Sequence, residues 1–190
     1  MPSFQEVKDS YIKSDAVLLD RHGKVIHELR VDPKGRRLGW ISIKDISPAL
    51  INAVIHSEDR RFYEHSGVDW IAVRSAIIKN LFTQTARGAS TITMQLASML
   101  DKDLKAKGSK RTLSQKWDQI KAAKGIEKTW SKEDILESYL NLITFRGELQ
   151  GISAASRGLF DKEPEGLDEP ESFLLASLIR SPNASAENVS

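Results

Sequence analysis

The sequence predicts a mainly α domain with a small β element at its N-terminus. Apolar residues recur at steps of three and four through residues 47–180. Helix-start signals interrupt that stretch at regular intervals. Ahead of it, residues 16–19 and 25–31 are short apolar or alternating runs, the pattern of paired strands. At 190 residues the chain is long enough to bury a core without staples. We expect an N-terminal β element and linker over 1–45, the main helical domain over 46–182, and a frayed tail over 183–190.

Asp20-Arg21-His22-Gly23 is a turn between the two runs, which makes them a β-hairpin. Asp32-Pro33-Lys34-Gly35 is a second turn signal, and Trp40-Ile41-Ser42-Ile43 reads as one more short strand. Ser47 then stands before Pro48, an N-cap with proline at the first helical position. Leu50, Val54 and Glu58 follow on one face of that helix. Asp69 precedes Trp70, Val73, Ile77 and Leu81. Ser90 or Thr91 opens a helix carrying Ile92, Leu96, Met99 and Leu100. Leu113, Trp117 and Ile120 mark another. Ser131 with Asp134 is a capping-box start ahead of Ile135, Leu136, Tyr139 and Leu140. Small residues at Ser153, Ala154, Ala155 and Ser156 allow close helix packing after Gly151. Residues 168–171 cap a last helix over 173–180, with Pro182 just beyond.

Composition excludes several classes of function. There is no cysteine, so no thiol catalysis and no Cys-based zinc site. No run approaches the ~18 apolar residues of a transmembrane helix, and the N-terminus lacks the pattern of a signal peptide. A net charge of +2 does not argue for nucleic acid as a partner. The charge is nonetheless patterned. Residues 102–116 hold six basic side chains against Asp103, and residues 161–171 hold six acidic ones against Lys162. Such runs are solvated loops or, for the basic one, contacts for phosphate or lipid headgroups.

Three clusters carry possible chemistry. In Glu58-Asp59-Arg60-Arg61-Phe62, Glu58 extends the Leu50 and Val54 stripe, so its carboxyl points toward the apolar side. Partial removal from water suits a carboxyl to general acid or base work. A surface Glu paired with Arg60 or Arg61 is the plainer alternative. Arg87-Gly88-Ala89-Ser90-Thr91 puts hydroxyls and backbone N–H groups at a helix N-terminus, either an anion site or a simple cap. Phe145-Arg146-Gly147-Glu148 is a turn between helices, with Arg157 and Lys162 downstream.

Together these clusters resemble a known family. Glu58-Asp59-Arg60-x-Phe62-x-x-His65-x-Gly67-x-Asp69 is similar to the first motif of the peptidoglycan glycosyltransferases, glycosyltransferase family 51. Gly88-x-Ser90-Thr91-Ile92-Thr93-x-Gln95-Leu96 resembles the second motif, and Ile135-Leu136-Glu137-x-Tyr139-Leu140-Asn141 the fourth. The stretch from Gly151 through Ala154-Ala155 to Phe160-x-Lys162 resembles the fifth more loosely. The chain looks like the glycosyltransferase part of a class A penicillin-binding protein, nearest in pattern to the 1C branch.

The resemblance implies a lysozyme-like helical fold. It implies an enzyme that polymerises lipid II into β-1,4 glycan with inversion, releasing undecaprenyl diphosphate. Glu58 would be the catalytic base. Asp59, Arg60, Phe62, Arg87, Ser90, Thr91, Gln95, Lys116, Gln119, Arg146, Arg157 and Lys162 would bind or position substrate. Mg or Mn could assist the leaving group, although no ligand set is visible. The partners implied are lipid II, the growing strand, an anionic membrane surface, and a transpeptidase domain or partner. The place implied is the outer face of the bacterial inner membrane, through an anchor not seen in this chain.

The chain also departs from the family pattern. The second family carboxylate, in the third motif, falls on Gln119, and a usual lysine after the second motif falls on Ser98. The amide of Gln119 can hydrogen-bond a phosphate or sugar but cannot act as a base. Asp118 is rotated about 100° round the helix from Gln119. These departures leave a non-catalytic module that binds lipid II or a partner as an alternative, and a helical domain with one essential Glu leaves a lysozyme-like hydrolase as another.

Overall fold

The computed structural model describes residues 1–33, 35–82, 90–101, 104 and 113–180. The expected class holds: the chain is mainly α, with a small hairpin near its N-terminus. The helices are α1 (Phe4–Asp9), α2 (Pro48–Glu58), α3 (Trp70–Phe82), α4 (Ile92–Leu100), α5 (Leu113–Ile126), α6 (Lys132–Leu142), α7 (Ile152–Phe160) and α8 (Glu169–Arg180). The strands are β1 (Asp15–Leu19), β2 (Val25–Arg30), β3 (Arg36–Arg37) and β4 (Leu149–Gln150). Among the described residues, no helix is long and apolar enough to cross a membrane.

The chain forms two compact units. The first comprises Met1–Phe4 and Ile55–Tyr139. Its centre is the contact of α4 with α5, where Val68, Met94 and Ala123 are buried together and Val73 and Ile120 pack against them. Gly67 makes the close approach possible. Its φ is +88°, and a Cβ there would meet the Ala123 backbone at 3.0 Å. Thr91 caps α4. Its hydroxyl accepts from the Met94 N–H at 3.2 Å and donates to the Gly67 carbonyl at 2.7 Å. α6 opens with a reciprocal box, Asp134 N–H to Ser131 Oγ at 3.1 Å and Ser131 N–H to Asp134 Oδ2 at 3.0 Å.

The second unit comprises Gln5–Val54 and the described residues from Leu140 on. β1 and β2 pair antiparallel across the Asp20–Gly23 turn, with a bulge opposite Leu18 and Leu19. The hairpin leaves Val17, Leu18, Leu19, Val25, Ile26 and Leu29 exposed. β3 and β4 pair in parallel, Arg36 against Leu149 and Arg37 against Gln150. The strand expected at residues 40–43 does not form. The Asn141 amide satisfies Ile41 instead, accepting from its N–H at 2.9 Å and donating to its carbonyl at 2.8 Å. With both backbone groups met by a side chain, a partner strand is not needed. Ser47 does precede α2, and its hydroxyl donates to the Leu167 carbonyl at 2.8 Å. α8 starts at Glu169, earlier than expected, through a box between Asp168 and Glu171 at 3.0 Å in both directions. Gly151 is held at φ +82°, and a Cβ there would lie 2.6 Å from the Asn141 carbonyl oxygen. The tail from residue 181 lies outside the described residues.

Candidate active site

Glu58 ends α2, four residues after the buried Val54 and eight after the buried Leu50. Its Oε2 accepts from Gln95 Nε2 at 2.9 Å. Its Oε1 is buried and has no hydrogen-bond partner among the described residues. A buried acceptor without a donor costs roughly 1–3 kcal/mol, so this oxygen favours any group that brings it a proton. Gln95 is fixed from behind, because Tyr139 donates its hydroxyl to Gln95 Oε1 at 3.1 Å. Burial pushes the Tyr139 hydroxyl well above its ordinary pKa, and the charges of Glu58 and Asp59 add to this. Tyr139 therefore keeps the proton it donates, and with the acceptor Glu58 on its other side the Gln95 amide turns its nitrogen toward Glu58.

The residues after Glu58 frame it from inside. Asp59 is 6% exposed, with Oδ2 accepting from the Ile92 N–H at 3.0 Å and Oδ1 lying 2.9 Å from His65 Nε2. That carboxylate holds the N-terminus of α4, where the helix dipole favours negative charge. Arg61 makes a forked pair with Asp69 at 2.8 and 2.9 Å. Burial raises the Asp69 carboxyl, but the Ala72 N–H and the Arg61 guanidinium outweigh it and hold it below the usual range. Phe62 is fully buried beneath Lys132, whose Nζ lies 4.4 Å from the ring centre. Lys132 donates to the His65 carbonyl at 2.7 Å and to Glu127 Oε1 at 2.8 Å. Glu127 Oε1 also accepts from Thr93 Oγ1 at 2.7 Å, which ties this loop to α4. Arg60 is exposed.

A second group of polar side chains lies along α4 and α5. Lys116 Nζ donates to Ser90 Oγ at 2.7 Å and to Gln119 Oε1 at 3.2 Å. Gln119 is fully buried and donates from Nε2 to the Met94 carbonyl and to Ser98 Oγ, both at 2.7 Å. α4 therefore supports both groups, Gln95 reaching Glu58 and Ser98 reaching Gln119. Thr91 uses its hydroxyl inside the fold, as the cap of α4.

Arg146, Arg157 and Lys162 lie in the second unit. Arg146 is exposed. Arg157 pairs with Glu163. Lys162 meets Glu171 at 2.7 Å and Asp168 at 3.7 Å, and the Glu171 hydrogen bond raises its pKa. Arg87 lies outside the described residues, as does most of the basic run over 102–116. Among the described residues no three His, Asp or Glu side chains converge to hold a metal ion. Sequence reasoning missed Ser98, Glu127, Lys132 and Tyr139 as parts of this arrangement. Only Tyr139 and Ser98 had a local signal, the one inside a motif and the other as a departure from it.

The comparisons with known proteins agree with the motifs. The sequence model of the Transglycosylase family matches residues 22–190. The chain is 41% identical over 144 residues to the biosynthetic peptidoglycan transglycosylase of Haemophilus influenzae, which covers 75% of this chain and 56% of that protein. It is 38% identical over 143 residues to the protein of that name from Mannheimia succiniciproducens, 75% of this chain and 57% of the other. It is also 38% identical over 144 residues to penicillin-binding protein 1C of Escherichia coli, 75% of this chain and 18% of that protein. The chain thus spans just over half the length of the first two relatives. With the first, second and fourth motifs in order, and the fold and family match in agreement, the chain belongs to the transglycosylase family.

Proposed function

We propose that the chain is a peptidoglycan glycosyltransferase that polymerises lipid II. The observation that carries this reading is the Glu58 carboxylate, oriented on one oxygen by Gln95 and left with a buried, unpartnered second oxygen. The C4 hydroxyl of the acceptor sugar donates to that oxygen. As its oxygen forms a bond to the donor's anomeric carbon, the proton passes to Glu58. The bond from that carbon to the diphosphate oxygen breaks, and undecaprenyl diphosphate leaves with the electron pair. One displacement inverts α to β. Lys116, beside Ser90 and Gln119, stabilises the departing charge. Asp59, Phe62 and Thr91 act as positioning residues. Arg60 and Arg87 are assigned to the anionic substrate; in the second unit Arg146, Arg157 and Lys162 are the cations proposed to contact it.

We further propose that the start of α3 meets the bilayer that holds the substrate. Trp70 and Ile71 are exposed there, and Lys124 lies 5.6 Å from the Trp70 ring centre. An aromatic ring with a nearby cation suits an anionic headgroup region. The place of action in this reading is the periplasmic face of the inner membrane, with a transpeptidase domain or partner beside it.

The test is a lipid II polymerisation assay on the chain and on Glu58→Gln. The amide keeps the shape and removes the base, so turnover falls about 10²- to 10⁴-fold while lipid II binding persists. Polymerisation at the unmodified rate by Glu58→Gln refutes the assignment. Release of reducing-end muropeptides would identify a hydrolase, and binding with no turnover a non-catalytic module.

A further inference from the structure

We infer that Ser98 is a positioning residue for the leaving-group site, acting on Lys116 through the side-chain amide of Gln119. The argument begins with hydrogen-bond chemistry. Lys116 has only donors, and the Met94 carbonyl is only an acceptor. Both touch the Gln119 amide, at 3.2 and 2.7 Å. A single orientation satisfies both, oxygen toward Lys116 and nitrogen toward α4. The second amide proton then needs an acceptor, and Ser98 Oγ supplies it at 2.7 Å. Ser98 turns its own proton to the Met94 carbonyl at 3.3 Å, which leaves its oxygen open to the amide. Gln119 is fully buried and Ser98 is 5% exposed, so water does not replace either contact.

The result is a neutral relay from α4 to α5. Ser98 and the Met94 carbonyl lock the amide, the amide oxygen holds the ammonium, and Ser90 holds it from the other side at 2.7 Å. A carboxylate at residue 119 could also hold Lys116, but it would set a negative charge beside the place where diphosphate charge develops. The amide orients the ammonium without adding that charge. Ser98 and Gln119, two of the positions where the chain departs from its family's pattern, touch here. The two departures therefore form one functional unit.

This inference rests on the reading of Lys116 as a diphosphate-binding group. The experiment is a double-mutant cycle with Ser98→Ala, Gln119→Met and the double variant. Inorganic pyrophosphate binding is read by calorimetry, and kcat and KM by lipid II polymerisation. Ser98→Ala should weaken pyrophosphate about three- to tenfold and lower kcat more than it raises KM. In the Gln119→Met background the same change should have no further effect, because the relay is already cut. Equal losses in both backgrounds overturn the inference, as does an unchanged pyrophosphate affinity in Ser98→Ala. If the unmodified chain polymerises lipid II and Ser98→Ala is silent, this inference alone falls. If the unmodified chain neither binds pyrophosphate nor makes glycan, the proposed function falls with it.

Discussion

Replacing Gln119 by Glu tests the leaving-group site directly. The change alters one atom in a side chain with no exposed surface. The nitrogen that donates to the Met94 carbonyl and Ser98 Oγ at 2.7 Å becomes an acceptor. Ser98 can reverse and donate, but the Met94 carbonyl faces an oxygen at hydrogen-bond distance with no proton between them. Loss of a buried bond of this kind costs roughly 1–3 kcal/mol. A new pair with Lys116 offsets little, because burying the two charges consumes most of their attraction. For a chain of this size, about 1–3 kcal/mol lowers Tm by roughly 3–10 °C. The effect on turnover is separate. A phosphate seated on Lys116 would lie about 6 Å from the new carboxylate, and at an effective dielectric of 20 their repulsion is about 2.8 kcal/mol, close to 100-fold in rate. The assay is lipid II polymerisation with a parallel thermal melt. A Gln119→Glu protein with equal or higher kcat would refute the reasoning and mean that the chain has lost a useful carboxylate.

Three further outcomes follow from the geometry. Gly67→Ala forces a Cβ to 3.0 Å from the Ala123 backbone at φ +88°; the loss is about 2–4 kcal/mol, read from the urea midpoint. Lys132→Met leaves the Glu127 carboxylate, 7% exposed, with Thr93 as its donor among the described residues. That change should destabilise by about 3 kcal/mol, and Glu127→Gln added to it should recover part of the loss in the same measurement. Trp70→Ala with Ile71→Ser removes the exposed apolar pair of α3 and should weaken binding to anionic lipid vesicles at least about tenfold, read by flotation. Unchanged flotation would detach α3 from the bilayer.

Local chemistry made much of the fold legible. Thr91, Ser131 with Asp134, and Asp168 with Glu171 are caps whose partners lie within three residues, so the sequence alone shows them. The hairpin is legible for the same reason, since its turn and both runs are contiguous. What was hidden depends on residues far apart in the chain. Arg36 meets Leu149, and Asn141 takes the place of a strand beside Ile41. No periodicity signals such a pairing. The site shows the same division. Glu58 is legible because it continues an apolar stripe, whereas Lys116 and Gln119 stand out only through the resemblance to the family's third motif. Asp59 and Thr91 carry the right atoms for substrate, yet the fold uses those atoms to hold α4. Lys132 and Glu127 became visible only once α4, α5 and the Phe62 loop were side by side.

The use of α4 on both flanks has a consequence for how this site can vary. Gln95 and Ser98 are three residues apart on one helix, which sets their offset at about 4.5 Å along the axis. The interval between proton acceptor and ammonium is thus measured by backbone, not by side chains. Side chains at either end can be exchanged in concert and the gauge survives. A single residue inserted between them swings Ser98 about 100° away and lengthens the step, so both ends lose register together. Length polymorphism should therefore be absent from this turn even where residue identity drifts, and libraries built to retune the enzyme should vary letters here, never spacing.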